Sequence, residues 1–287
     1  MSKNGGTLGN PNVPTNGIAS GIWKTNEVHQ NVSLGGWLRR DGSSAQAAGD
    51  SAAAIKAITG TNTDGVYWIN LPTVGPTEVF CLMDSAWNGG GWMMAMKATR
   101  GTTFSYTSTH WTSITTLNTT SVNRTDADAK FHTMNYFSAK DFLAVFPDIG
   151  AGGSIAGRGA WTWLQNDFNS GARTTTINFF NTAAQTRISG GKEFSGWGSG
   201  VFSSQSGTQW YGFNFSQYTN ARVRWGFAWN NEVNDLNSND VSGGIGMGGS
   251  NIGGQSANFS YSAGDYIGCC NDTTGINRTA RVEMFVR

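Results

Sequence analysis

Three runs of β-forming residues, separated by turn signals between positions 62 and 96, constrain this chain more than any other feature. Val66-Tyr67-Trp68-Ile69-Asn70-Leu71 is dense in β-branched and aromatic residues. Glu78-Val79-Phe80-Cys81-Leu82-Met83 follows, and Trp92-Met93-Met94-Ala95-Met96 closes the series. Asn62-Thr63-Asp64-Gly65 turns the chain into the first run, and Asn88-Gly89-Gly90-Gly91 turns it into the third. The three runs are expected to form a small antiparallel sheet, because short connections join antiparallel strands. The third run lacks polar alternation, so it is expected at the centre of the sheet.

The rest of the chain is poor in helix formers. Glycine accounts for 40 of 287 residues, and charged residues for 13%, about half the usual ~25%. Few helices are expected, because Glu, Lys, Arg and Gln are scarce. The best helical stretch is 44–58, with Asp50 as an N-cap for its second half and Gly60 as its stop. Ala139–Phe146 has the spacing of a short helix, capped by Ser138 and ended by Pro147. Val223–Trp229 reads as a strand. The stretch 230–278 reads as nearly all loop, and a loop of that length needs support other than a sheet, for which a bound metal ion is the candidate. A last strand over 280–287 alternates Ala280, Val282, Met284 and Val286 against Arg281, Glu283, Phe285 and Arg287.

Several functions are excluded at this level. Nineteen basic against eighteen acidic residues give a net charge of +1, so a nucleic-acid partner is not expected. The longest apolar runs, Trp92–Met96 and Phe142–Phe146, fall far short of the ~20 residues that cross a bilayer, so no membrane insertion is expected. The first residues carry no apolar segment of the export-signal type. Cys81, Cys269 and Cys270 do not make a spaced disulfide framework or a zinc set. Synthesis in a reducing cytoplasm is the plain reading, with a vicinal Cys269–Cys270 disulfide as the alternative. Residues 1–45 read as an extended arm that needs a partner surface to bury Ile22, Trp23, Val28 and Trp37. The alternative is a floppy terminus, against which two tryptophans argue. Residues 46–287 are the folded domain.

Asp64-Gly65-Val66-Tyr67-Trp68-Ile69, then Val79-Phe80-Cys81-Leu82-Met83-Asp84, then Gly89-Gly90-Gly91-Trp92, in that order, resemble the opening of fibrinogen-related domains. Asn230-Asn231-Glu232, the glycine run 243–249 and the tail Arg281–Arg287 resemble the intelectin branch of that family. The resemblance covers about 50–287. It implies an α+β, fibrinogen-like domain with small antiparallel sheets, short helices and long Gly-rich loops supported by metal. The family's first cysteine is absent, so Cys81 lacks the disulfide partner the family gives it. Lys97-Ala98-Thr99-Arg100-Gly101 stands where intelectins carry a loop with histidine and glutamate. The arm, with Val13-Pro14, Ala19-Ser20-Gly21-Ile22-Trp23, Glu27 and Gly36-Trp37, resembles segments of phage tail-fibre and related virion proteins.

Calcium takes roughly six to eight oxygen ligands, and the resemblance implies it here. Asp126 and Asp128 place carboxylates on alternate residues of one loop; the alternative is a solvated turn paired to Lys130. Asn231 and Glu232, with Asp265 and Asn258, are the second candidate set, against a reading in which they cap backbone groups inside a loop core. Trp197, Trp210 and Tyr211 are candidates for stacking on sugar faces, against plain core packing. No nucleophile elbow or phosphate loop is convincing, so no enzyme is expected.

The expected function is a bacteriophage virion structural protein: a fibre, tail or capsid surface appendage. Its arm would bind other virion proteins, and its outward domain would bind host-surface carbohydrate as a homo-oligomer. It would reside in the virion after synthesis in the host cytoplasm. A soluble calcium-dependent lectin is the alternative, followed by a glycan-cleaving enzyme.

Overall fold

The runs that open at Gly65 become three adjoining strands. The structure, a computed structural model, describes residues 39–150, 152, 153, 155, 157–182, 186, 187, 210–216, 221–229, 241–250, 258–267 and 278–287. In chain order the strands are β1 (Gly65–Leu71), β2 (Gly75–Leu82), β3 (Trp92–Ala98), β4 (Ala129–Lys130), β5 (Ser138–Ala139), β6 (Phe142–Phe146), β7 (Gly152–Gly153), β8 (Trp161–Gln165), β9 (Thr174–Thr175), β10 (Thr186–Arg187), β11 (Trp210–Ser216), β12 (Arg222–Trp229), β13 (Val241–Ser250), β14 (Asn258–Ile267), β15 (Arg278–Thr279) and β16 (Val282–Val286). Short helices cover Ala52–Thr59, His132–Tyr136 and Thr176–Thr182. The architecture is mostly antiparallel sheet with few short helices, compatible with the α+β class. No helix among the described residues is long and apolar enough to cross a membrane.

One sheet runs β1-β2-β3-β16-β6-β8-β7, with β4 beside β3. β3 is buried along its whole length, as its lack of polar alternation predicts. The turn before β3 depends on Gly90, whose φ is 73°. A Cβ there would stand 2.3 Å from the Met83 carbonyl oxygen, so a side chain has no room. β16 lies between β3 and β6, so the end of the described chain fills the middle of the sheet. Val282, Met284 and Val286 join the main core on one face, Phe285 joins a second apolar cluster on the other, and Glu283 is also buried.

Three expectations need correction. The helix expected over 44–58 covers only Ala52–Thr59. Ser51, not Asp50, caps it by accepting from the Ala54 amide at 3.1 Å, and Gly60 stops it with φ 70°. Residues ahead of Ser51 cannot join the helix, because the backbone of Gly49 bonds to β1: its N–H donates to Trp68 O at 3.1 Å and its carbonyl accepts from Asn70 N at 2.8 Å. The helix expected over Ala139–Phe146 is instead the short β5 and the fully buried β6. A brief apolar run suits a buried strand as well as a helix, and here β16 and β8 flank it. The stretch 230–278, expected to be loop, contains the ten-residue strands β13 and β14.

These strands belong to a second sheet, β10-β11-β12-β13-β14-β15. Glycine is usually depleted in strands, yet here close packing requires it. Gly212, Gly226, Gly244 and Gly264 stand side by side across β11 to β14. Phe227 lies over Gly243, where a Cβ would come 2.5 Å from its ring. The neighbouring rings of Phe213 and Trp225 stack at 5.7 Å and meet Phe142 of the first sheet. Aromatic packing between the sheets thus supplies the main core, while Phe215, Val223, Met247 and Phe259 form a separate apolar cluster.

Buried Lys130 on β4 gives this fold a measurable pH dependence. Its ammonium donates to Ser113 O, and burial pushes its pKa from 10.5 down to about 8. The unfolded chain therefore holds this proton to higher pH than the folded chain does. Below pH 8 the charge costs stability, and that cost disappears as pH rises from 8 to 10.5. Lys130→Met is expected to be more stable at pH 7 by about 1–2 kcal/mol, after the lost bond to Ser113 is set against the relieved burial. Melting curves of both proteins between pH 7 and 9.5 should converge as pH rises. The paired comparison cancels the titration of other groups such as Cys81.

Candidate functional site

In the acidic loop expected to hold calcium, Asp128 makes hydrogen bonds and Asp126 faces two arginines. Asp128 accepts from Thr99 N at 2.9 Å through one oxygen and from Thr103 Oγ1 at 2.6 Å through the other. Asp126 faces Arg100 at 3.4 Å and Arg281 at 3.9 Å. Beneath this loop, Lys97 is buried on β3, and its ammonium donates to Ser121 Oγ, Asn123 O, Asn123 Oδ1 and Thr125 Oγ1 at 2.8–3.2 Å. Glu283, its cross-strand neighbour, bonds Arg124 at 2.6 Å and Arg281 at 2.8 Å. Burial pushes the Glu283 carboxyl up, and Arg124, Arg281 and Lys97 pull it back; burial also pushes the Lys97 ammonium down. The loop is thus anchored by the protein's own cations.

The second candidate set does not converge among its described members. Asn258 and Asp265 lie seven positions apart on β14, a rise of roughly 23 Å along a strand, so one ion cannot bind both. Asn258 is exposed, whereas Asp265 is fully buried at the far end of β14, paired in register with Gly243. Asn231 and Glu232 lie outside the described residues, as do Trp197, Cys269, Cys270 and the arm residues Ile22, Trp23, Val28 and Trp37. Among the described residues no group of three His, Cys, Asp or Glu side chains is placed to hold a metal ion. Trp210 begins β11, opposite Ala228, and its side chain is outside the description. Tyr211 is only 3% exposed and packs in the main core. Of the three rings expected to stack on sugar, Tyr211 is therefore used for packing.

Asp64, Asp84 and the glycine turn before Trp92 form one structural latch. One carboxylate oxygen of Asp64 accepts from the amides of Met83 and Asp84 at 2.6 and 2.8 Å, and the other accepts from the Trp87 indole at 2.8 Å. Arg158 lies 3.9 Å over the Trp87 ring and bonds Asp84 at 3.1 Å. The Ala86 amide and Arg158 hold the Asp84 carboxyl below its ordinary pKa. Arg287 covers the Trp92 ring at 4.1 Å and bonds the carbonyls of Asn88 and Gly90 in the glycine turn. Cys81 is buried beside this latch as a free thiol, and burial, then the Asp64 charge, pushes its pKa up. Such a thiol is inert.

A concave polar site lies elsewhere, at one end of the second sheet. Thr107, Arg222, Gly248, Gly249, Ser250, Asn258, Phe259 and Ser260 line a pocket of about 270 Å³. Its described lining comes from four segments: the start of β12, the end of β13, the start of β14 and the loop after β3. Tyr106 N donates to Met247 O at 3.0 Å, which pins that loop against β13 and sets Thr107 at the rim. At Gly248 and Gly249 the wall is bare backbone. Of these residues, only Asn258 was a candidate from sequence. Gly248 and Gly249 stood in the glycine run noted from sequence, and the remaining residues carried no local signal, because the pocket exists only once distant segments meet.

The Tyr106 ring beside this pocket lies against two arginines of β12. The Arg222 guanidinium is 5.9 Å from the ring centre and that of Arg224 is 4.4 Å away. Arg224 bonds Tyr106 O at 2.9 Å, Asn214 Oδ1 at 3.1 Å and Phe180 O at 3.5 Å, all of them uncharged acceptors. Gly246, opposite it, leaves the room this side chain needs, since a Cβ there would stand 2.6 Å from Arg224 Cγ. Chemically, the pocket offers hydroxyl, amide, backbone and guanidinium groups, a set suited to binding a polyhydroxylated ligand.

No family model matches this chain, and a search of curated proteins finds no match.

Proposed function

We propose that this chain is a bacteriophage virion structural protein. Residues 46–287 would be a fibrinogen-like, intelectin-like domain displayed outward to attach host-surface glycan, and residues 1–45 would dock on other virion proteins. The observation that carries the glycan reading is the polar pocket at the ends of β12, β13 and β14. Its volume lies near the lower end of ligand pockets, at about 300 Å³ and upward, which suits one or two sugar rings. Its hydroxyl, amide and guanidinium groups match the donors and acceptors of a sugar. The Asp64 latch and the Gly90 turn support the family part of the reading, since they give the resembling residues a shared structural task. The virion part rests on the resemblance of the arm.

Calcium enters this reading at Asn231 and Glu232, as a support for the chain between β12 and β13. The described candidates Asp126, Asp128, Asn258 and Asp265 do not form a shared site with one another. Glu232→Ala is expected to lower Tm and to abolish the rise in Tm on adding calcium. A parent protein whose melting ignores both calcium and chelator would remove calcium from the reading.

A glycan array run with and without chelator tests attachment. Binding to host-surface polysaccharide is the expected result, and loss of that binding on chelation would tie calcium to attachment. An array without binding, on which Asn258→Ala and the parent protein behave alike, would overturn the glycan reading. Particles that still incorporate a chain lacking residues 1–40 would overturn the docking role of the arm.

A further inference from the structure

We propose that loop 121–125 is a binding site for a monovalent cation of ammonium size, and that Lys97 of β3 fills it from within the chain. Ser121 Oγ, Asn123 O, Asn123 Oδ1 and Thr125 Oγ1 converge on the Lys97 Nζ at 2.9, 2.8, 3.2 and 3.1 Å. The alternate residues 121, 123 and 125 thus all turn an oxygen towards one buried point. An ammonium has three N–H groups and no more, so four oxygens around it are the surroundings of a spherical cation. Hydroxyls, amide oxygens and backbone carbonyls are groups that cations take as ligands, and none of the four is a carboxylate. Calcium takes its oxygens closer, at about 2.3–2.6 Å, and relies on carboxylates. A neutral cage with longer distances therefore suits a larger, singly charged ion. Burial disfavours a cation at this point and so does Arg281, whereas Glu283 and Asp126 favour it.

The arrangement recurs at a second lysine. Lys56 Nζ, on the helix Ala52–Thr59, donates to Thr61 O at 3.3 Å, Met83 O at 2.6 Å, Ser85 Oγ at 3.1 Å and also Asn62 Oδ1. Here too four uncharged oxygens surround one ammonium. In both places the lysine joins its own element to a loop distant in sequence, 97 to 121–125 and 56 to 83–85. A tethered cation acts at a high effective concentration. The cage under Asp126 therefore stays filled whatever ions surround the protein, and the loop keeps its shape without drawing on them.

The test vacates the cage and offers it free ions. Lys97→Met removes the ammonium and keeps most of the stem. The full chain and this variant are melted in the chlorides of sodium, potassium, ammonium, calcium and tetramethylammonium at equal ionic strength. The tetramethylammonium ion has no N–H and is too large for the cage, so in that salt the variant is expected to melt roughly 5–10 °C below the parent. Ammonium or potassium should recover at least half of that deficit in a saturable manner. Taking the difference between the two proteins in each salt cancels general salt effects. Thr125→Val in the Lys97→Met background removes one cage oxygen, and should raise the concentration needed for half recovery about tenfold. An equal deficit in every salt would overturn the proposal and leave Lys97 an ordinary buried hydrogen-bond donor. Recovery by calcium alone would overturn the monovalent class, and recovery indifferent to Thr125→Val would overturn the cage. Where Lys97→Met is insoluble on expression, it is refolded from urea in each salt, and soluble yield takes the place of Tm with the same outcomes.

Discussion

Gly226→Ala is expected to abolish soluble, folded protein, or to cost more than about 4 kcal/mol where protein is recovered. The added methyl would stand 2.0 Å from the Gly243 carbonyl oxygen, 2.7 Å from a Val223 methyl and 2.9 Å from the Gly244 Cα. Two of these three are backbone atoms of the adjoining strand β13, which no rotamer change can move. Relief requires β12 and β13 to separate at the middle of the second sheet, with loss of ladder hydrogen bonds on both sides of the glycine row. Gly244→Ala should be as severe, since Gly244 has φ 144° and its Cβ would stand 2.3 Å from Trp225 O. Gly101→Ala is the control. Nothing lies within 4 Å of its Cβ, so a change within ~0.5 kcal/mol is expected. Soluble yield and thermal melting of the three variants decide the matter. A Gly226→Ala protein that melts like the parent would mean that these strands do not pair in this register.

Asp64→Ala is the second large effect, at about 3 kcal/mol, because it leaves two backbone amides and an indole N–H without their acceptor. The loss should spread from the Met83–Asp84 turn to Trp87, and from there to Arg158, which stacks on the Trp87 ring. Asp64→Asn keeps one acceptor oxygen and is expected to lose about half as much. Thermal melting gives the size of each effect, and hydrogen exchange at the Met83 and Asp84 amides locates it. Unchanged exchange at those amides in Asp64→Ala would show that the latch does not hold the turn.

What the sequence made legible follows from how local each signal is. The strands around Tyr67, Phe80 and Met94 carry β-rich runs and tight turns, and they form as expected. Gly60 likewise stops its helix as expected. The run Gly243-Gly244-Ile245-Gly246-Met247-Gly248-Gly249 does not read as a strand, because glycine has no β-forming tendency of its own. Its strand character comes from the neighbours that require its missing side chains: Phe227 over Gly243 and Arg224 beside Gly246. Phe142–Phe146 is ambiguous for a different reason, since a five-residue apolar run has too few turns to reveal its period. Glu283 stands in an alternating strand with Arg281 two positions before it, and its burial is explained only once Arg124 is brought to it from a distant part of the chain. The pocket is the least legible feature. Thr107, Arg222, Ser250 and Ser260 are ordinary residues in sequence, and the fold alone gives them a common concavity.

The central place of β16 has a consequence for biosynthesis. β3 and β6 are both complete by residue 146, yet neither has its shared neighbour until residues 282–286 have cleared the ribosome. Throughout translation of the intervening segment, the nascent chain therefore carries two open, apolar strand edges. A stalled or prematurely terminated product would keep those edges exposed and be a ready substrate for chaperones or a seed for aggregation.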